Sequence, residues 1–301
     1  MPSPSGQEMS ACSFCGSRSF PEHAEINGYR VVRCDQCGLW MVNPLPSAEF
    51  LADFYNQAYY ANPQWICSVD QDTVMRISAG KLPAFRETCS RIKRVRPADR
   101  LLDVGCAFGQ FMAVAEGQGF DTTGVELDML VAARARSFGL NVVTGDFLGV
   151  DLPTRYYDVV TMWYVFEHVR DPIATLTRAG ELLRDDGILF VRVPNMAFGL
   201  PFLRMSRLGL RRLPSILSHV PAHLHFYTVQ VLRRLVGSVG FQIVSVEHGQ
   251  PIYSYGSKFA PRAKNASRRV ISHLANSLAA LTGQRWYCGP SLSLYARKIR
   301  S

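Results

Sequence analysis

The run LLDVGCAFGQF at residues 101–111 carries the architecture of this chain. Residues 101–104 form an apolar run of strand length that contains Asp103, and Gly105 and Gly109 bracket a turn leading into a helical pattern. Glycines at such a turn let the backbone reverse sharply and let a ligand approach the main chain. In an open parallel sheet that ligand lies beyond the carboxyl ends of the strands. The dinucleotide fingerprint G-x-G-x-x-G is absent, which argues against a pyrophosphate cradle.

Outward from this turn, short apolar runs alternate with helical patterns, the signature of a parallel sheet wrapped by crossover helices. Strands are expected at 101–104, 122–125, 141–144, 157–162, 188–193, 242–247 and 291–296, with helices near 109–118, 128–138, 172–183 and 228–239. The expected class is therefore α/β, a doubly wound Rossmann-like sheet of seven strands occupying residues 97–301. Two segments, near 196–226 and 257–287, break the rhythm and are expected to be insertions forming a substrate lid. Residues 46–96 read as a connector. It follows the turn at Pro44–Pro46 and holds the aromatic stretch FYNQAYY (54–60) and a helix near 74–95 that ends in a basic run before Pro97.

Acids follow the successive strands: Glu126 in GVELD (124–128) and Asp146 in GDF (145–147), with WYVFEHVRDP (163–172) and DGILFVRVPN (186–195) further on. Taken with the first motif, these elements resemble, in order, those of the class I S-adenosylmethionine-dependent methyltransferases. The first motif of that family reads D-x-G-x-G-x-G, and Ala107 replaces its middle glycine. The resemblance implies that Asp103, Gly105, Cys106, Ala107 and Gly109 form the donor loop, and that Glu126 and Leu127 lie at the ribose. It also implies Asp146 and Phe147 at the adenine, and Trp163 beside the donor. An NAD-dependent short-chain enzyme would need a Gly-rich first loop and a Tyr-x-x-x-Lys pair, and no such pair is evident.

Residues 1–45 carry a different signal. Cys12-x2-Cys15 and Cys34-x2-Cys37 are separated by 18 residues, a spacing that suits a four-thiolate zinc site made from two knuckles. Gly16 and Gly38 follow the pairs and suit the tight turns a knuckle needs. Four thiolates leave no open position, so a structural Zn(2+) in a small zinc ribbon is expected. The context of a thioredoxin-like redox pair is missing.

The whole chain resembles a narrower group, bacterial methyltransferases with an N-terminal zinc ribbon, many of them in sugar, polysaccharide or antibiotic biosynthesis. The matching residues are the four cysteines, FYNQAYY, DVGCAFG and HLHFYT (223–228). O- and C-methylation both remain open. A hydroxyl acceptor needs a base, and His225 is expected to serve, with His168 second, because both fall in loops near the expected pocket. Glu167-His168 is similar to a metal-binding pair of some quinone-pathway O-methyltransferases. Those have an acid three residues earlier, where this chain has Tyr164, so a catalytic metal is not expected. Tyr59 and Tyr60 are expected either to close over the donor or to staple the domains together.

Charge is uneven. The 301 residues carry +9, but residues 1–200 hold 18 Lys+Arg against 23 Asp+Glu, whereas residues 201–301 hold 15 against the single acid Glu247. The last third is thus a basic segment of net +14. Its runs FLRMSRLGLRRLPSILSHV (202–220) and KNASRRVISHLANSLAAL (264–281) interleave cations with large apolar residues, as an interfacial helix would. An anionic membrane surface or a phosphate-bearing acceptor is the expected partner, and nucleic acid is not. No apolar run approaches the ~18 residues of a membrane span, and MPSPSGQEMS lacks a signal pattern. A cytoplasmic protein, peripheral to the inner face of the membrane, is expected.

The expected function is methyl transfer from S-adenosyl-L-methionine to a small-molecule or glycan acceptor, in particular a sugar or a phosphate- or lipid-linked saccharide. The rivals are an RNA methyltransferase that grips rRNA with its ribbon and a regulatory protein that binds the donor without turnover. The first lacks an aromatic-basic RNA motif and has VPN where base-amine methylation commonly uses an N/D-P-P-Y loop.

Overall fold

A computed structural model describes residues 6–51, 63–206, 217, 220–249 and 289–299. The N-terminal part is a small β-structure. Strands β2 (Glu22–Ile26), β3 (Tyr29–Arg33) and β4 (Trp40–Asn43) form an antiparallel meander. Its first turn is Asn27-Gly28, at φ 54° and 82°, the left-handed pair that a two-residue hairpin demands. Short β1 (Gly6–Gln7) pairs with β5 (Leu45–Pro46) beside it.

Three helices follow: α1 (Pro63–Ser68), α2 (Gln71–Ile77) and α3 (Leu82–Val95). The single helix expected near 74–95 is thus two. Pro83 lacks an N–H and sits in the first turn of α3, where that loss is harmless, so the chain restarts there rather than continuing from α2. Asp70 caps α2 by accepting from the Thr73 N–H at 2.6 Å.

All seven expected strands form one sheet. They are β6 (Arg100–Val104), β7 (Asp121–Glu126), β8 (Val142–Thr144), β9 (Tyr157–Trp163), β10 (Leu183–Pro194), β12 (Phe241–Gly249) and β13 (Ser291–Lys298). Their order is β8-β7-β6-β9-β10-β13-β12, parallel except for β13, which runs antiparallel to both β10 and β12. Between them lie α4 (Gln110–Glu116), α5 (Met129–Ser137), α6 (Pro172–Leu182), α7 (Met196–Ser206) and α8 (Val229–Ser238). Asp128 and Asp171 cap α5 and α6, accepting from the Val131 and Ala174 N–H groups at 2.8 and 2.9 Å.

Period-two alternation sorts the apolar residues of the central strands onto two faces. Leu102, Val104, Val160, Met162, Leu189 and Val191 face α6 and α8, while Leu101, Val159, Ile188 and Phe190 face α3 and α4. Each fully buried aliphatic side chain contributes about 1.5–3 kcal/mol, so both faces drive folding.

The ribbon region is continuous with this core. Cys12, Val32, Cys34, Cys37, Leu39 and Met41 belong to the same apolar cluster as Leu102, Leu189, Tyr227 and Leu232. The link is β11 (His225–Phe226), which pairs antiparallel with β4, His225 opposite Met41 and Phe226 opposite Trp40. The first expected insertion therefore includes α7 and a strap, residues 220–226, that adds a strand to the ribbon sheet. The second, 257–287, lies outside the described residues, as do Tyr59 and Tyr60.

Candidate functional site

The chain reverses its winding direction between β6 and β9, and at the carboxyl edge there the loops after β6, β7 and β8 meet. They are stitched to one another by main-chain hydrogen bonds. The N–H groups of Gly105 and Cys106 donate to the Val125 carbonyl at 2.8 and 3.1 Å, and the Gly145 N–H donates to the Glu126 carbonyl at 2.9 Å. Glu126 itself accepts from the Ala107 N–H and the Asp128 N–H, each at 2.9 Å. One carboxylate thus ties the first loop to the second and is 6% exposed at their junction.

Asp103 lies one layer below. It is 3% exposed and accepts from the Thr161 hydroxyl of β9 at 2.7 Å. Burial pushes its carboxyl up to about 7; the Thr161 hydrogen bond opposes this and the charge of Glu126 adds to it. Burial also raises Glu126, against the two backbone N–H groups that favour its charged form.

The glycines are there for shape. Gly105 and Gly109 have φ of +67° and +75°, and a Cβ on them would lie 2.4 Å from Val165 Cγ2 and 2.0 Å from Leu140 Cδ1. Ala107 has φ 50°, left-handed as well, at the position where the resembled motif carries glycine. Gly124, which the sequence reading did not single out, lets β7 approach the loop: a Cβ there would come within 2.6 Å of both Cys106 Sγ and Met112 Sδ. Its signal was a glycine inside a strand pattern.

The structure brings Asp103, Gly105, Cys106, Ala107, Gly109, Glu126 and the Gly145–Asp146 turn to one edge. Leu127 is 62% exposed beside them. Asp146 is exposed and accepts from the Leu148 N–H at 3.1 Å. Phe147 is 7% exposed and packs into the main core, so only a sliver of it is available as a wall. Cys106 is 4% exposed, and burial raises its thiol well above the usual range. Trp163 lies in an aromatic cluster with Phe85, Phe111 and Phe190, at centroid distances of 4.7, 5.0 and 4.7 Å.

Beyond β9 the chain enters a strained turn. Tyr164 has φ 56°, exceptional for a bulky residue, and its hydroxyl accepts from Arg192 Nε at 3.2 Å. Arg192, 3% exposed on β10, also lies over the Trp163 and Tyr164 rings. Its sequence signal was a cation inside the apolar run FVRV. Next come Glu167, 1% exposed with no side chain among the described residues donating to its carboxyl oxygens, and His168, whose Nε2 is 4.0 Å from Glu167 Oε1. Burial pushes Glu167 up to about 8. The His168 and His223 rings meet edge-on at 4.8 Å.

His225 does not overhang a pocket. It is 1% exposed, with Nδ1 3.1 Å from the Val169 carbonyl and Nε2 3.3 Å from the Ser13 hydroxyl, and burial lowers it to about 4. The expectation of a base there is corrected. Pairing with β4 turns this residue into the seam between ribbon and sheet, where both ring nitrogens are occupied.

In the ribbon, the four sulfurs of Cys12, Cys15, Cys34 and Cys37 lie within 4.8 Å of one another, with Cys12–Cys37 and Cys15–Cys34 at 3.5 Å. Zinc–thiolate bonds of ~2.3 Å in a tetrahedron put sulfurs about 3.8 Å apart, so the cluster is compatible with a zinc ribbon. Gly16 and Gly38 have φ of 71° and 78°, and their N–H groups donate to Cys12 O and Cys34 O at 2.9 Å, the two knuckle turns. A cavity of about 660 Å³ opens nearby, lined by Trp40, Arg33, Leu200, Leu203 and Gln230, and none of the residues named at the carboxyl edge of β6, β7 and β8 lines it.

Fold and edge together define a Rossmann-like methyltransferase architecture. Residues 75–246, more than half of the chain, match a family described as a methyltransferase domain, and the chain belongs to that family. A ubiquinone biosynthesis O-methyltransferase of Glaesserella parasuis serovar 5 is 33% identical over 107 residues, 32% of this chain and 45% of that protein. That of Histophilus somni is 31% identical over 110 residues, 33% of this chain and 46% of that protein. The chain spans about half the length of the curated relatives it matches. Among solved structures, the magnesium protoporphyrin IX methyltransferase of Synechocystis PCC 6803 superposes with a TM-score of 0.53 at 13% identity, over 84% of this chain and all of that one. An S-adenosylmethionine dependent methyltransferase from Mesorhizobium loti reaches 0.50 at 20% identity, over 73% and 98%. Identities this low speak for the fold alone.

Proposed function

We propose that this protein transfers a methyl group from S-adenosyl-L-methionine to an oxygen of a small hydroxylated acceptor, in particular a sugar or a phosphate- or lipid-linked saccharide. The observation that carries the donor is the meeting of three strand-end loops around Glu126, where the left-handed glycines of the first loop leave its main chain uncovered by side chains. When bound, the donor supplies an electrophilic methyl group. The chain's own residues position it: Glu126 holds the ribose hydroxyls, Asp146 the adenine amine, and Asp103 supports the loop from beneath. Positioning is the larger part of catalysis for such a transfer, and a hydroxyl acceptor also requires removal of its proton. His168 is the acceptor-side histidine of this reading.

A second acceptor class, a hydroxyl on a quinone-type ring, is favoured by the name of the relatives matched through about a third of this chain. A thiolate-bound zinc ion in the ribbon, with a structural role, belongs to the same proposal.

Calorimetry tests the donor: wild type binds S-adenosylmethionine and Asp103→Ala loses at least tenfold in affinity, whereas equal affinity defeats the assignment. Mass spectrometry of reactions with nucleotide-sugar, polyprenyl-linked saccharide and hydroxyquinone acceptors then separates the classes. Donor binding with no product on any of them supports a regulatory protein instead.

A further inference from the structure

We propose that Glu167, His168 and His223 form a second metal centre, a two-nitrogen, one-oxygen site for a divalent ion of the zinc class, which pins the strap to the loop after β9. Their ligand atoms lie within 4.8 Å of one another. Around a common ion with bonds of ~2.0–2.2 Å such atoms sit about 3.3 Å apart, so side-chain rotations of roughly an ångström close the site. The donor set suits zinc and its neighbours rather than calcium or magnesium, which prefer all-oxygen shells.

Two features favour an ion over ordinary packing. The Glu167 side chain is buried, and among the described residues no side chain donates a hydrogen bond to either of its oxygens. Buried carboxylates are normally paired or bound to a cation. The tautomer of His168 is the second feature. Its Nδ1 lies 2.9 Å from the Ala222 carbonyl, which can only accept, so Nδ1 carries the hydrogen and Nε2 keeps the lone pair in the neutral ring. That nitrogen faces Glu167 Oε1. An imidazole nitrogen and a carboxyl oxygen on neighbouring residues, facing one another, can share one cation. A backbone carbonyl on the far nitrogen is the usual outer support of a metal-bound histidine.

The backbone is already organised around the same point. The Glu167 carbonyl accepts from the Leu224 and His225 N–H groups at 2.9 and 3.1 Å, so the strap that delivers His223 is held against the loop that delivers Glu167 and His168. Tyr164 offers no carboxylate here, and the third donor comes from the strap instead. His168 then serves as a ligand, in place of the acceptor-side role proposed for it above. The inference rests on this geometry and stands apart from the choice of acceptor.

The test is metal stoichiometry on the full chain, purified with zinc and freed of loose metal, repeated with cobalt(II) as a spectroscopic probe. Wild type is expected to hold about two equivalents, and Glu167→Gln, His168→Gln and His223→Gln about one each. The intense thiolate-to-cobalt absorption should persist in all three variants, which also reports that the ribbon has folded. If Glu167→Gln fails to fold, the two histidine variants carry the test. One equivalent in wild type with the thiolate band at full strength overturns the proposal and leaves Glu167, His168 and His223 as ordinary buried packing. Two equivalents in the folded histidine variants overturn it as well. If the thiolate band is missing while an equivalent still depends on His223, the ribbon reading fails and this one holds.

Discussion

Ala107 occupies a backbone conformation that costs an alanine about 1–2 kcal/mol and a glycine almost nothing. With φ 50° between two left-handed glycines, its N–H is aimed at Glu126, so the strain is spent on loop geometry. Ala107→Gly is therefore expected to stabilise the protein by about 0.5–1 kcal/mol in urea denaturation, with glycine's greater unfolded-state entropy offsetting part of the relief. Asp103 makes a pH prediction. Its folded carboxyl is raised to about 7, above its unfolded value, so the folded state binds the extra proton between roughly pH 4 and 7. The Asp103 contribution to stability thus falls as pH rises through that window and levels off above it. Asp103→Asn should flatten this part of the pH–stability curve and, without donor, be more stable than wild type at pH 8. An unchanged slope would show that the carboxylate stays charged. The three acids were legible in the sequence because each lies near the carboxyl end of a strand, Asp103 and Glu126 within it and Asp146 just beyond, and those ends are set by local apolar pattern. Gly124 was less legible, because its need comes from the sulfurs of Cys106 and Met112 across the sheet edge.

At the scale of elements, the strap is the part with most consequence. It pairs β11 with β4, donates the Leu224 and His225 N–H groups to Glu167, and accepts through the Leu224 carbonyl from the Val42 N–H at 3.0 Å. Loss of the ribbon's order should therefore be felt at the loop after β9. Cys34→Ser is expected to cost at least about 3 kcal/mol. Hydrogen exchange of the Leu224, His225 and Val42 amides should quicken by tenfold or more, while the β8 and α4 amides keep their protection. Uniform protection across both regions would mean that the ribbon stands alone. The alternating strands were readable from their periods, and so was the ribbon's Cys-x2-Cys pairing. The split between α2 and α3 was readable only through Pro83. HLHFYT could be seen as distinctive but not placed, since its partner strand lies nearly two hundred residues earlier in the chain.

For the molecule as a whole, charge remains the main pointer to a partner. The net +14 of residues 201–301 is borne largely by residues outside those described, and among the described residues no helix is long and apolar enough to cross a membrane. The proposal of an anionic surface or phosphate-bearing acceptor predicts flotation of the full chain with phosphatidylglycerol vesicles and not with neutral ones, weakened as salt rises. Equal absence from both vesicle types removes the membrane version. Periodicity, glycine turns, strand-end acids and cysteine spacing are local properties, and from them the sequence alone settled the doubly wound sheet and pointed to its strand-end loops and to the four clustered cysteines. Only the tertiary structure decided that ribbon and sheet share one core, that His225 is a buried seam and not a base, and that His223 stands beside Glu167 and His168. The physical reason is that burial and pairing between distant segments depend on which surfaces meet, and no local pattern encodes that meeting.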